Sequence, residues 1–454
     1  MKRPHILIVL CDQWRAQATG YAGDPNVATP NLDRLAKESI HFSNATSNCP
    51  VCTPARATLL TGQHAHRHGL IVNDAPLDPE IPSLGKVLAS AGYQTGWIGK
   101  WHVDGHGRRE VIPRERRHGF EVWKALECNH NYWESPYYDG DDTELSWWSG
   151  PHTECEYDAF AQTNAAIDFL ADRDTSRPFA LCLSFGAPHE PYDKVPSEFL
   201  AAHEEKRLRL RPNVPPKLEE SARRNLRGYY AHCAALDRCI GQLDDALKAH
   251  GLDEETLLLF ISDHGDSLNS HGYWFKQLPW EESVGIPCLL RWPGLGEAGR
   301  GRRDLTPISL VDIMPTLLGL THCPIPSTVQ GRDYSSVVHG KVENLPDAAY
   351  LQIVVPQGTL VQQGGPAARE WRGLRTPTHT YARALDGPWL LYDNLADPYQ
   401  LFNLVDDAAH RRLRDELDQR LQATMRDLGD ALLPAKEWAD RFGYRLNERN
   451  LINS

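Results

Sequence analysis

The chain predicts an α/β fold: a large, mostly parallel sheet sandwiched by helices, followed by a smaller α+β unit. Three observations carry this. Several short apolar runs have no polar interruption, as expected of strands covered on both faces. Segments with helical periodicity and recognisable caps alternate with them. The runs end abruptly in carboxylates, imidazoles and amines, the residue types found where ligands bind beyond the carboxyl ends of parallel strands.

The elements follow in order. HILIVL, from His5, is a buried strand ending at Cys11, Asp12 and Gln13. Thr29 and Pro30 open a helix in ATPNLDRLAKES, with Pro at the first helical position. SLGKVLASAG is a helix closed by Gly92, and YQTGWIG is a strand leading to Lys100, Trp101 and His102. EYDAFAQTNAAIDFLAD is a helix, and PFALCLSFGAPH is a strand ending at His189. A long helix spans 219–249. TLLLFISDHGD is a strand ending at Asp263 and His264, and GIPCLLRWPG is one more.

Residues 104–152 break this pattern and read as a long irregular, substrate-facing insertion, rich in Trp, Tyr, Asn, His, Asp and Gly. Its His130 and Trp133 are candidate substrate contacts, whereas Trp101 and Trp123 read as core. After about 335 the texture changes to short antiparallel strands with turns, then a surface helix in HRRLRDELDQRLQATMRDLG. The expected organisation is a catalytic α/β domain over 1–335 and an α+β subdomain over 336–454.

With 454 residues the chain can bury a large core, and its 24% charged content is ordinary for a globular enzyme. The net charge of −12 argues against a nucleic-acid partner. It also means that any anion site must be assembled locally from cations and helix N-termini. The apolar run Ile6–Leu10 is too short for a secretory signal, and no stretch approaches a membrane span of about 20 apolar residues. A cytoplasmic protein with no membrane partner is expected, or a periplasmic or secreted one if a leader was removed. The ten cysteines (Cys155 among them) are scattered, several inside apolar runs, as buried thiols are.

Four strand ends thus present Asp12 and Gln13, Lys100 and His102, His189, and Asp263 and His264. Asp12, Gln13, Asp263 and His264 are candidate metal ligands. Oxygen donors suit Ca²⁺ or Mg²⁺, and one imidazole leaves Mn²⁺ or Zn²⁺ open. In SNCPVCTPARATLLTGQHAHRHG, Thr53, Pro54 and Gly62 bracket a helix, so Cys52 sits at its N-terminus. Backbone N–H groups there favour negative charge and lower a thiol pKa. Arg56 lies one turn in and can point at the same anion. Cys49 reads as a packed bystander, and His64, His66 and His68 as a polar loop at the site rim without metal.

Cys52-Thr53-Pro54-Ala55-Arg56, continuing to Leu60-Thr61-Gly62, resembles the signature of the formylglycine-dependent sulfatase family, within the alkaline-phosphatase-like superfamily. VLCDQWR, GKWH, APHEPY and SDHGDSLNSHGYWFK resemble four further motifs of that family in their expected order. The resemblance implies that Cys52 is oxidised to Cα-formylglycine by a formylglycine-generating enzyme. The hydrated aldehyde then attacks sulfur with one hydroxyl, and the sulfated hemiacetal collapses through the other. It implies one divalent cation, with Ca²⁺ expected and Mg²⁺ or Mn²⁺ as alternatives, on Asp12, Gln13, Asp263, His264 and the residue at 52. Arg56 and Lys100 would stabilise the nucleophile, His102 would be the base, and His189 and Lys276 would bind the bridging oxygen. Asn73 would touch substrate. The implied activity is sulfate release from an organic ester. A sulfated saccharide is the expected substrate and a small aryl or alkyl sulfate the alternative. Gln13 and His264 depart from the Asp and Asn common in the family and also occur in phosphonate monoester and phosphodiester hydrolases. Such a hydrolase is therefore the alternative enzyme, and a non-catalytic binding protein of the same fold the minor one.

Overall fold

A computed structural model describes residues 3–150, 157–341, 345–365 and 367–452, so Cys155 lies outside the described residues. In chain order the strands are β1 (His5–Asp12), β2 (Ile40–Phe42), β3 (Ala45–Thr46), β4 (Gln94–Lys100), β5 (Val122–Leu126), β6 (Ser135–Asp139), β7 (Ser146–Ser149), β8 (Phe179–Pro188), β9 (Thr256–Ser262), β10 (Cys288–Arg291), β11 (Arg302–Asp304), β12 (Ile308–Ser309), β13 (Ala349–Ile353), β14 (Trp371–Arg375), β15 (His379–Ala384) and β16 (Gly387–Asp393). Ten of them form one sheet in the order β11-β2-β10-β9-β1-β8-β4-β5-β6-β7. Its centre, β9-β1-β8-β4-β5, is parallel throughout.

The uninterrupted apolar runs are explained by burial on both faces. In β1, Ile6, Ile8 and Leu10 enter one core while Leu7, Val9 and Cys11 enter the other. Helices Asp158–Asp172 and Glu219–Ala249 cover the second face. Helices Cys52–Thr61, Leu84–Ser90 and Leu310–Leu320 cover the first. A separate four-stranded antiparallel sheet, β13 to β16, packs Tyr350, Leu374, Tyr381 and Leu391 against Leu417, Leu421 and Met425 of the Arg411–Leu428 helix.

The structure differs from the sequence expectation in two places. GIPCLLRWPG supplies β10, which runs antiparallel to β9 toward the sheet edge. The 104–152 segment is only partly irregular: β5 continues the parallel core, and β6 and β7 add antiparallel edge strands. Its aromatic residues largely pay for that extension by burial: Trp123 packs on Trp101 with ring centroids 5.2 Å apart, and Tyr137 stacks on Trp148 at 3.8 Å. No helix among the described residues is long and apolar enough to cross a membrane.

Candidate active site

The carboxyl ends of β1, β4, β8 and β9 converge on the N-terminus of the Cys52–Thr61 helix. This helix is buried along its whole length, begins after the extended residue Val51 and stops at left-handed Gly62. Asp12, Cys52, Asp263 and His264 each offer a ligand atom, and these atoms lie within 4.8 Å of one another. His264 Nε2 is 3.1 Å from Cys52 Sγ, and Asp12 Oδ1 is 3.7 Å from it.

Arg56, fully buried, braces both carboxylates. Its Nε donates to Asp263 Oδ2 at 3.0 Å and its Nη2 to Asp12 Oδ2 at 3.4 Å. The remaining Nη1 donates to Lys100 O and Ser184 Oγ, which ties the Cys52–Thr61 helix to β4 and β8. The Lys100 ammonium donates to Asp12 Oδ2 at 2.5 Å. Lys276 Nζ donates to Gln13 Oε1 at 2.5 Å and lies 2.9 Å from His189 Nε2. His102 Nε2 lies 3.2 Å from Asp74 Oδ1.

The electrostatics follow from burial opposed by neighbours. Burial raises the Cys52 thiol pKa, but Lys276, Lys100 and His264 outweigh it and hold the group well below its usual range. Burial and the Cys52 sulfur push Asp12 upward, yet Lys100, His189 and Arg56 keep it ionised far into acid. Burial, then the charge of Asp12, raises Asp263. Burial disfavours the His189 imidazolium, but Glu190, 3.0 Å from its Nδ1, lifts its pKa to about 10. The site is therefore a local concentration of cations in an acidic chain, suited to an anionic group.

The donor set fits one divalent cation. Two buried carboxylates face each other and one imidazole completes a mainly oxygen set. The mutual repulsion of Asp12 and Asp263 is the charge pattern a cation relieves.

The structure brings Asp12, Cys52, Arg56, Lys100, His102, His189, Asp263, His264 and Lys276 together. Gln13 adjoins them with its carboxamide oxygen on Lys276, and its NH₂ donates to Asp266 at 2.7 Å. His130 stacks on His189 at 4.2 Å and lies 3.4 Å from the Lys100 ammonium. Asn73 accepts the Thr53 N–H at 3.1 Å, so its oxygen is committed to the Cys52–Thr61 helix. Trp133 packs toward Tyr157 in the second core, with ring centroids 6.0 Å apart. His64, His66 and His68 do not form a rim loop. They flank and occupy a short helix, Ala65–His68, buried under the C-terminal sheet, with His66 Nδ1 3.1 Å from Gln352 Oε1 and His68 Nε2 3.1 Å from Thr58 Oγ1. Cys49 is buried and unpaired, its pKa raised to about 12 by burial.

Sequence reasoning passed over Asp74, Glu190, Asp266 and Cys128, whose Sγ lies 3.5 Å from His130 Nε2. Each is a lone polar residue in a loop or at a strand end. All four had one available signal, since each lies within two residues of a residue already singled out: Asn73, His130, His189 and His264.

Comparison with known proteins agrees with this arrangement. The sulfatase family model matches residues 4–323, and the N-sulphoglucosamine sulphohydrolase C-terminal model matches 269–427. An ulvan-active sulfatase of Formosa agariphila is 39% identical over 97% of this chain and 85% of its own length. An endo-4-O-sulfatase of Bacteroides thetaiotaomicron is 31% identical over 98% and 96%. A solved structure of a protein in complex with its substrate D-glucosamine-2-N,6-O-disulfate superposes with a TM-score of 0.83, at 23% identity, over 96% of this chain and 100% of that one. At that identity the superposition speaks to the fold, and the family matches speak to the chemistry: the chain belongs to the sulfatase family and is a sulfuric ester hydrolase.

Proposed function

We propose that this sulfatase releases sulfate from a sulfated saccharide, using Cα-formylglycine at position 52 and one divalent cation, with Ca²⁺ the expected ion. The carrying observation is the position of Cys52 at a helix N-terminus, beside two carboxylates and an imidazole and ringed by Arg56, Lys100, His102, His189 and Lys276. The Sγ atom stands where a formylglycine oxygen would lie. The name of one relative, an ulvan-active sulfatase 39% identical to this chain, supports a sugar substrate.

The hydrated formylglycine would supply a hydroxyl nucleophile and a second hydroxyl for sulfate release. Asp12, Asp263 and His264 would hold the cation, with Gln13 as a further neutral oxygen, and the cation would supply charge stabilisation for a sulfate oxygen. Arg56 keeps the two carboxylates in place. Lys100 places a cation beside the nucleophile and neutralises the outer oxygen of Asp12. His102, oriented by Asp74, is placed to take the proton whose loss expels sulfate. Lys276 and His189 form a cationic pair on the other side, placed to bind the bridging oxygen. The His189 imidazolium, favoured by Glu190, can deliver a proton to the leaving alcohol. His130, stacked over that imidazole, would contact the substrate.

Paired assays test the reading. The enzyme, co-expressed with a formylglycine-generating enzyme, is expected to release sulfate from sulfated saccharides and aryl sulfates far faster than it cleaves an aryl phosphonate monoester. A reversed preference would assign it to the phosphonate hydrolases. Tight saccharide binding with no turnover of any ester would make it a binding protein.

A further inference from the structure

Beyond the sulfate pocket, a basic turn leads outward from His102. The segment GRRE, residues 107–110, is exposed, and its neighbourhood holds five arginines, Arg108, Arg109, Arg114, Arg116 and Arg117, in a chain of net charge −12. Three of them are neutralised locally. Arg116 pairs with Asp104, and Arg114 and Arg117 share Asp141. Arg109 makes no ion pair among the described residues. Arg108 uses only Nε and Nη2, donating to Asp74 at 3.1 and 2.9 Å, and its side chain is 51% exposed. Asp74 is the same carboxylate that orients His102.

The turn is held in shape. Glu127 Oε1 accepts the backbone N–H groups of Asp104 and Gly105, both at 2.9 Å. Gly105 has φ +67° and sits so close to Pro76 that a Cβ would fall 2.4 Å from its nitrogen. The carbonyls of Arg108 and Arg109 are fixed by Cys128 N–H at 3.3 Å and the Tyr138 hydroxyl at 2.8 Å. Two guanidinium groups are therefore presented from an ordered backbone, one of them a single carboxylate removed from a residue of the sulfate pocket.

We propose that Arg108 and Arg109 form an anion subsite for a second acidic group on the substrate, a carboxylate or sulfate on the sugar next to the one that loses its sulfate. The substrate is then a polyanionic oligosaccharide rather than a small aryl or alkyl sulfate. An Arg fork suits both anions, and its exposed edge leaves the second charge partly solvated, so the effect belongs to substrate binding. The proposal rests on the sulfatase reading above.

The test compares three sulfated oligosaccharides whose neighbouring sugar carries a carboxylate, a second sulfate or neither, each relative to 4-nitrophenyl sulfate. Arg108→Gln and Arg109→Gln are each expected to lower the relative kcat/KM of a doubly anionic substrate about five- to tenfold, through KM, and to flatten its salt dependence. The Cys52→Ala protein, with either Gln substitution added, is expected to lose affinity for the same oligosaccharide by a similar factor without any turnover. A loss confined to the carboxylate substrate assigns the subsite to a uronate-type group, and a loss confined to the doubly sulfated one assigns it to sulfate. Equal ratios across all three substrates would overturn the subsite while leaving the sulfatase reading intact. A wild-type enzyme that releases sulfate from none of them would overturn both.

Discussion

His264 Nε2 lies 3.1 Å from Cys52 Sγ, at the meeting point of β9 and the N-terminus of the Cys52–Thr61 helix. The proposed metal ligand and the proposed reacting residue therefore share one buried position.

The Arg56 guanidinium binds both carboxylates of the proposed metal site, Asp263 through Nε and Asp12 through Nη2. Arg56→Lys is expected to weaken divalent-cation affinity and lower kcat about 10- to 100-fold, as changes to the partners of ligating groups do. Metal titration of the purified variant, with kcat measured at saturating metal, checks this.

Chelation leaves Asp12 and Asp263 repelling each other in a buried site. Removal of the cation is expected to abolish turnover and lower Tm, with both restored by adding Ca²⁺. An enzyme that keeps full activity after exhaustive chelation would contradict the metal assignment.

Lys276 and His189 are proposed to act on the leaving group, so their worth depends on how poor that group is. Lys276→Met is expected to cost about 10²- to 10⁴-fold on a saccharide sulfate and clearly less on 4-nitrophenyl sulfate, whose phenolate leaves unaided. The slope of log kcat/KM against leaving-group pKa should steepen in the variant.

Gly99 precedes Lys100 at φ +100°, where a Cβ would fall 2.1 Å from the Ser184 carbonyl oxygen. Gly99→Ala is expected to cost at least about 1–2 kcal/mol in conformational strain alone, and to displace Lys100 as β4 and β8 separate. A lower Tm accompanied by a larger fractional loss of kcat checks both parts.

Most of this frame was legible from the chain. The fully buried strands show because every position is apolar, and the Cys52–Thr61 helix shows because Pro54 and Gly62 mark its ends. The insertion was harder to read, since β6 and β7 are five and four residues long and, among the described residues, pair only with each other and the edge of β5. A four-residue helix has no visible period, so His66 and His68 looked like loop residues. Their burial depends on Gln352 and on a sheet formed nearly 300 residues later. Asp74 and Glu190 carry no pattern of their own and become meaningful only beside His102 and His189.

Under the C-terminal sheet, fully buried Arg372 binds Asp430 through both Nε and Nη2, at 2.6 and 3.0 Å. Burial raises the Asp430 pKa, but Arg372 and then His66 bring it below the ordinary carboxylate value. The pair's stabilisation is therefore fully present above the unfolded carboxylate pKa of about 3.9 and is lost as pH falls through the lower folded value. Asp430→Asn is expected to cost about 3–5 kcal/mol at neutral pH by stranding the guanidinium, and to remove this part of the acid dependence of Tm. Melting curves of both proteins from neutral pH into acid check the sign.

The central claim is that Cys52 is the precursor of an aldehyde and not itself the nucleophile. Intact-mass analysis of the peptide containing Cys52, taken from fully active enzyme, tests it most directly. Loss of H₂S with gain of one oxygen is the predicted result. An unmodified thiol at that position in enzyme of full specific activity would contradict the account.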